Sequence, residues 1–321
     1  MRRMVLVAAI AAALSSPLAP AVADDTVVVP GLAFPSSDTY LTYFGCTDLY
    51  HADTRSPQVR ISRDGAVPAG QRSFGLRMPG SGTASGPVRR VDSVAGSSVA
   101  GFAARSDQGG AGVAYVWYVA PDLLPGQAWS GRATLQVGPV WQYVDAGAAT
   151  YTWTRYHAAT GEVVEDGGTS TIADFTSAHG DGPGYLLAGF GCDGQPFSLD
   201  ALRFGSPGNV TTYDLEGIAV STTMRSSHGV LPPNGEVTLS GVTLDTGGVP
   251  IGSALVLEAR PDGHKVFAPV GGTTYSGPDG TVSAVVAPEV TTEYRWYLPD
   301  TGLANAGWSQ PVRVVVPKNA H

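Results

Sequence analysis

Seven residues between positions 141 and 156 carry the chemistry this chain offers most openly. Trp141 and Tyr143 stand two apart, as do Tyr151 and Trp153, so each pair shares one face of an extended strand. Tyr156 follows, with Gln142, Asp145 and Arg155 interleaved. An aromatic face stacks on the apolar C–H face of a sugar ring, while nearby carboxylate, amide or guanidinium groups fix the hydroxyls. The expected ligand-binding set is therefore Trp141, Tyr143, Tyr151, Trp153, Tyr156, Asp145 and Arg155. Half the side chains of a sandwich strand point inward, so about two of the four tryptophans at 117, 129, 141 and 153 are expected in a core instead.

No catalytic set stands beside them. The chain has no Gly-x-Ser-x-Gly elbow, His-Glu-x-x-His, Cys-x-x-Cys or Gly-x-x-x-x-Gly-Lys phosphate loop. A glycosidase needs two carboxylates about 5–10 Å apart. Glu162 and Glu165, flanking a hairpin expected after Thr160-Gly161, point to opposite strand faces. Asp174, His179 and Asp181 could hold Ca²⁺ or a catalytic pair, yet a solvated polar loop is the simpler reading, so no catalytic residue, metal or cofactor is assigned. His51, His157 and His179 are read as isolated surface histidines. The question of an enzyme stays open and leans away from one. The alternatives to a binding protein are a hydrolase whose carboxylates come from distant strands and a structural or partner-binding surface protein.

The elements that position these residues follow from composition. With 42 Gly and 24 Pro in 321 residues, long helices are excluded, and 43% hydrophobic residues against 14% charged exclude disorder and a charged coiled coil. Met1 to Ala23 reads as an export signal: Arg2 and Arg3, an apolar run from Val5 to Leu14, and small residues before a cleavage between Ala23 and Asp24. The run is too short to span a bilayer, and no later segment is long enough. Loss of Arg2 and Arg3 takes the net charge from −8 to −10, which argues against nucleic acid and anionic lipid as partners through bulk charge. A secreted, extracellular location follows. Cys46 and Cys192 are then expected as one disulfide, and their matched settings, Phe44-Gly45-Cys46 and Phe190-Gly191-Cys192, place the first and last thirds of one domain side by side.

Short alternating strands between Gly/Pro turns run from Asp24 to Tyr213, with the clearest meander at Val113 to Tyr156, where a tryptophan recurs every 12 residues. Gly205-Ser-Pro-Gly-Asn209 reads as a hinge. Beyond it, period-two apolar sets predict a second sandwich: Val237, Leu239 and Gly241; Leu255 and Leu257; Val282, Ala284 and Val286; Tyr294, Trp296 and Leu298; Val312, Val314 and Val316. Tyr294 is a candidate tyrosine corner. The expected fold is all-β, with a jelly-roll-like sandwich over 24–213, an immunoglobulin-like sandwich over 214–317 and a tail over 318–321.

Two resemblances accompany this. The run from Leu239 to Arg260, with Asp279-Gly280-Thr281 and Thr291 to Trp296, resembles the Ig-like modules of secreted actinobacterial proteins, which implies a spacer or adhesion module. Gly194 to Phe204, with Phe197-Ser-Leu-Asp-Ala-Leu202, is similar to the closing strand of jelly-roll carbohydrate-binding modules. Leu298-Pro-Asp-Thr-Gly302 matches the sortase pattern, but the residues after it lack an apolar span and are needed as a strand, so it is read as a turn. The function expected from these readings is non-catalytic recognition of an extracellular glycan or surface polymer by the first domain.

Overall fold

The computed structural model describes residues 25–49, 56–63, 66–232 and 234–317. The export signal, its cleavage point at Ala23–Asp24, His51 and the tail over 318–321 lie outside them. The fold is all-β, with one α-helix of more than one turn among the described residues. No helix among them is long and apolar enough to cross a membrane.

The first fourteen strands are β1 (Asp25–Pro30), β2 (Thr39–Gly45), β3 (Gln58–Ser62), β4 (Ser73–Arg77), β5 (Thr83–Val91), β6 (Val99–Arg105), β7 (Gly110–Tyr118), β8 (Gln127–Val137), β9 (Gln142–Asp145), β10 (Thr150–His157), β11 (Val163–Thr171), β12 (Gly184–Phe190), β13 (Phe197–Ser206) and β14 (Asn209–Glu216). They form two seven-stranded sheets. Sheet I runs β1-β14-β13-β4-β3, with β6 and then β9 continuing from β13. Sheet II runs β11-β10-β8-β7-β12-β5-β2.

Alternation decides what lies between the sheets. Phe74 and Leu76 of β4, Ala100, Phe102 and Ala104 of β6, and Leu199 and Leu202 of β13 point inward from sheet I. They meet Val116 and Tyr118 of β7, Trp129 of β8, Trp153 of β10 and Phe190 of β12. Phe102 and Phe190 join the sheets edge to face at 6.0 Å. Helix α1 (Ile172–His179) closes one end; Thr171 caps it by accepting from the Asp174 amide, and Phe175 lies flat on Trp153 at 3.9 Å.

The Cys46–Cys192 disulfide forms, with Cα atoms 5.7 Å apart and 146 residues between them. Its cysteines follow β2 and β12, which are separated in sheet II by β5. The Gly82 backbone sits between the two cysteines, its carbonyl accepting from the Cys46 amide and its own amide donating to Cys192.

The meander differs from expectation in one respect. β7, β8 and β10 are neighbours in sheet II, but β9 leaves it and pairs with β6 in sheet I. Gly138 and Pro139 break the strand after Val137, and the chain crosses between layers there.

The later strands are β15 (Ser221–Thr222), β16 (Arg225–Ser226), β17 (Val237–Leu244), β18 (Ala254–Pro261), β19 (Ala268–Tyr275), β20 (Thr281–Val286), β21 (Thr292–Leu298), β22 (Gly307–Trp308) and β23 (Val312–Val314). β17 pairs with β15, β16 and β20; β18 lies between β19 and β21, and β21 also pairs with β22 and β23. This arrangement is Ig-like. The period-two sets fill its core: Val237, Leu239, Leu255, Leu257, Val282, Tyr294, Trp296, Leu298 and Val314 are all buried.

Gly205–Asn209 is not a hinge. Ser206 pairs with Asn209, so these residues are the tight turn between β13 and β14, with Gly208 at φ +82°. β14 then continues past residue 213 to Glu216, because Tyr213 and Leu215 are needed in the first core. Residues 217–220 join the sandwiches, and Ile218 bridges to Ala304.

Candidate functional site

The seven aromatic-site residues divide between the two sheets. Tyr151 and Trp153 correct the expectation: they are 1% and 0% exposed and form core, with the Tyr151 hydroxyl donating to the Ala146 carbonyl at 2.6 Å and the Trp153 indole donating to Ser170. They present no face to a ligand. Arg155 pairs with Glu165 and lies over the Trp129 ring at 5.6 Å, which makes it a cover for the core. Tyr156 is half-buried on the same strand, where burial pushes its phenol up from the ordinary value. None of these four joins the remaining three.

Trp141, Tyr143 and Asp145 belong to sheet I and stay together. Because Ala100, Phe102 and Ala104 face the core, Gly101, Ala103 and Arg105 of β6 face outward. Tyr143 pairs with Ala103, and Asp145 with Gly101. A Cβ on Gly101 would stand 2.8 Å from the Tyr143 hydroxyl, so the absent side chain lets the ring lie over the strand. Burial, reinforced by the Asp145 charge, pushes that phenol up to about 12. The Arg203 guanidinium lies over the Tyr143 ring at 5.4 Å, and Arg105 over Trp141 at 5.2 Å. Asp145 itself caps a turn by accepting from the Ala148 amide at 3.1 Å.

Trp141, Tyr143, Ala103, Ala201 and Arg203, with Ala66 to Pro68, line an open depression of about 430 Å³. Ala201 adopts φ +49° at a bulge where the β13–β6 register shifts. That left-handed conformation strains an alanine. Asp200 holds it in place, its Oδ1 accepting from the Ala201 and Leu215 amides at 2.6 and 3.2 Å.

A second depression of about 540 Å³ continues along the same face past Arg105. Pairing sets its floor: Arg60 lies opposite Gly75, Gly75 opposite Ser198, and Ser198 opposite Arg105. Two small residues thus lie between two arginines, a span of about 14 Å across three strand spacings. Arg77 adds a third guanidinium, and Asp107 is the one carboxylate of this lining among the described residues. Sequence reasoning missed this half because Arg60, Arg77, Arg105 and Ser198 lie on four strands far apart in the chain. The period-two outward positions of β3, β4, β6 and β13 were the available signal.

The acidic loop disperses into separate structural tasks. Asp174 lies in the first turn of α1, where its carboxylate accepts from the hydroxyl of the Thr171 cap, and His179 Nδ1 is 2.9 Å from Asp122 with its ring against Phe175. Burial alone would raise the Asp181 carboxyl, but hydrogen bonds from Ser93 and the Ala95 and Gly182 amides outweigh it and hold the carboxyl low. No group of three or more His, Cys, Asp or Glu among the described residues is placed to hold a metal ion.

Buried carboxylates do cluster elsewhere, at the junction of the sandwiches. Asp200, Asp214 and Glu216 lie together with Arg72, which is fully buried. The Asp200 carboxyl is pushed up to about 7 by burial, against hydrogen bonds from the Ala69, Ala201 and Leu215 amides. Asp214 rises to about 6 through burial and the neighbouring Glu216 charge. None of them lines either depression. Leu298–Gly302, read as a turn, is the other half of this junction: Asp300 binds Arg63 and Arg72, and the Thr301 and Gly302 carbonyls accept from Arg72.

The chain matches no protein-family model and no curated protein. Among solved structures it is similar to titin domains A168–A170, at 10% identity and a TM-score of 0.22 over 91% of this chain and 96% of that one. It is also similar to Sidekick-1 immunoglobulin domains 1–5, at 9% identity and a TM-score of 0.18 over 91% of this chain and 78% of that one. At that level of likeness neither adds to the fold read from the strand pairing.

Proposed function

We propose that this is an exported binding protein whose first sandwich recognises an extracellular polymer on the outer face of sheet I. The second, Ig-like sandwich serves as a spacer or adhesion module. The observation that carries the reading is the Trp141–Tyr143 pair: two aromatic side chains on one outward face, each stacked by an arginine, beside a floor of small residues. Stacked guanidinium groups fix the rings in place, and a ring held before the ligand arrives loses less entropy on binding. A long shallow face suits a chain molecule better than a small solute, which would need an enclosing pocket.

The hydrolase reading gains nothing from the buried carboxylates. Asp200 accepts from backbone amides, Glu216 from the Gln71 amide and Arg72, and Asp214 beside them lines neither depression. A panel of wall and plant polysaccharides, presented to the intact protein and to Trp141→Ala and Tyr143→Ala, tests the binding reading. Retention on at least one polymer, weakened by either substitution, is expected. Retention on none ends the reading.

A further inference from the structure

We infer that the polymer is an acidic polysaccharide, and that its carboxylate or sulfate groups seat between Arg60, Arg77 and Arg105. This rests on the polymer-binding reading above and adds the chemical class of the ligand.

The chain as a whole is acidic, at −8 with 27 Asp and Glu against 19 Lys and Arg. A neutral polysaccharide would need no departure from that average. Yet among the described residues the lining of the larger depression brings three guanidinium groups together with one carboxylate. A cluster of one sign along a recessed face focuses potential and raises the local concentration of the opposite charge. Guanidinium is also the cation whose planar fork matches a carboxylate or sulfate edge with two parallel hydrogen bonds.

Geometry makes the cluster a track. Arg60 and Arg105 stand about 14 Å apart across Gly75 and Ser198. Gly75 has no side chain, and a Cβ there would meet nothing nearer than 3.6 Å, so the low floor is not imposed by crowding from below. A polymer can therefore approach the sheet closely while its acidic groups reach the arginines on either side. Arg105 closes the arrangement, since it lines this depression and also stacks on Trp141. The charged track and the aromatic platform are thus continuous: an acidic unit at Arg105 places the next sugar ring beside the indole. At the far end Arg203 over Tyr143 offers a further cation.

The test is calorimetric titration of the intact protein with polygalacturonate, dextran sulfate, neutral dextran and duplex DNA, in low and moderate salt. Expected are binding to polygalacturonate or dextran sulfate, weakening as salt rises, and at least tenfold weaker binding by Arg60→Gln/Arg77→Gln. Both guanidinium groups are exposed, so that variant should melt as the parent does, and Arg60→Lys/Arg77→Lys should keep part of the affinity. Which of the two acidic glycans binds tells carboxylate from sulfate recognition. Equal binding of neutral dextran, insensitive to salt and to the arginine substitutions, overturns the acidic class and leaves the polymer-binding reading standing. DNA bound as tightly as either acidic glycan reduces the face to unselective polyanion capture and overturns it as well. No binding to any of the four, together with none in the wider polysaccharide panel, removes both.

Discussion

Arg72, fully buried, meets Glu216 at the junction of the two sandwiches, with Arg72 Nη1 3.1 Å from Glu216 Oε2. The remaining donors of the same guanidinium reach Asn305, Asp300, and the Thr301 and Gly302 carbonyls, all on the loop after β21. A guanidinium has five N–H donors, and here five acceptors from both sandwiches receive them. This is why so polar a group is tolerated at 0% exposure, and why the two sandwiches are joined more firmly than a four-residue connection requires.

Removing Arg72 leaves the Glu216 carboxylate buried without its countercharge, while Asp300 keeps Arg63. Arg72→Ala is expected to cost about 3–5 kcal/mol in chemical denaturation and to open residues 217–220 to proteolysis. Arg72→Lys should recover only part, because an ammonium cannot reproduce the fork. A variant as stable as the parent would remove Arg72 as the clamp.

The same junction sets an unusual pH dependence. Asp214 and Asp200 have folded-state values of about 6 and about 7, both raised by burial above the ordinary carboxylate value near 3.9. Between about pH 4 and 7 the folded chain therefore holds more protons than the unfolded chain. Their contribution is fully present below about pH 4 and is lost as pH rises through the folded values. Around them stand Glu216 and Arg72, with Asp300 and Arg63 beyond. Melting temperature should fall as pH is raised from 5 to 8. Asp214→Asn, which removes a charge whose Oδ1 has no hydrogen-bond partner, should flatten that slope and raise stability at pH 8. A melting temperature that rises over this window contradicts the assignment.

The disulfide ties β2 to β12 across 146 residues. Loop-closure entropy assigns it roughly 4–5 kcal/mol. Cys46→Ser/Cys192→Ser should lose about that much in denaturant while keeping the all-β circular dichroism spectrum at low temperature. A loss within error of zero would mean the bridge constrains nothing that packing has not already fixed.

The two classes of tryptophan give a direct check on which face each occupies. Trp153→Ala should cost about 3–5 kcal/mol, because it empties the space beneath Phe175. Trp141→Ala should cost clearly less, about 1 kcal/mol, since the ring is only half-buried at the edge of an open depression. Equal costs would put both rings in one environment and dissolve the site.

Alternation made much of the architecture legible. The period-two apolar sets from Val237 to Val316 name the second core almost residue by residue, because a strand with one buried face has no other register open to it. The even pair of cysteines likewise anticipated the bridge. The aromatic site was legible only in half. Tyr151 and Trp153 have the same spacing and composition as Trp141 and Tyr143, and spacing says which residues share a face without saying whether that face is inside. Only the crossing of β9 to the other sheet, after Gly138-Pro139, separates them. Non-local pairing hid the rest. Arg60, Arg77 and Arg105 converge through the pairing of β3, β4, β13 and β6, and Arg72 meets Asp300 across 228 residues. The glycine-rich run at 205–209 misled because a hairpin turn and a linker use the same residues.

The central claim is that the first sandwich binds polymer on the Trp141 face, and the second sandwich provides the sharpest control. Trp308 is 55% exposed and stacked on Tyr297 at 5.3 Å, with Arg295 over its ring, so it offers a rival aromatic platform of similar chemistry. The decisive measurement is titration of whichever polysaccharide the parent protein binds against Trp141→Ala and Trp308→Ala side by side. The expected result is at least a tenfold loss for Trp141→Ala, about 1.4 kcal/mol, and an unchanged affinity for Trp308→Ala. The reverse pattern, or two variants that bind as well as the parent, would contradict the assignment of sheet I as the binding face.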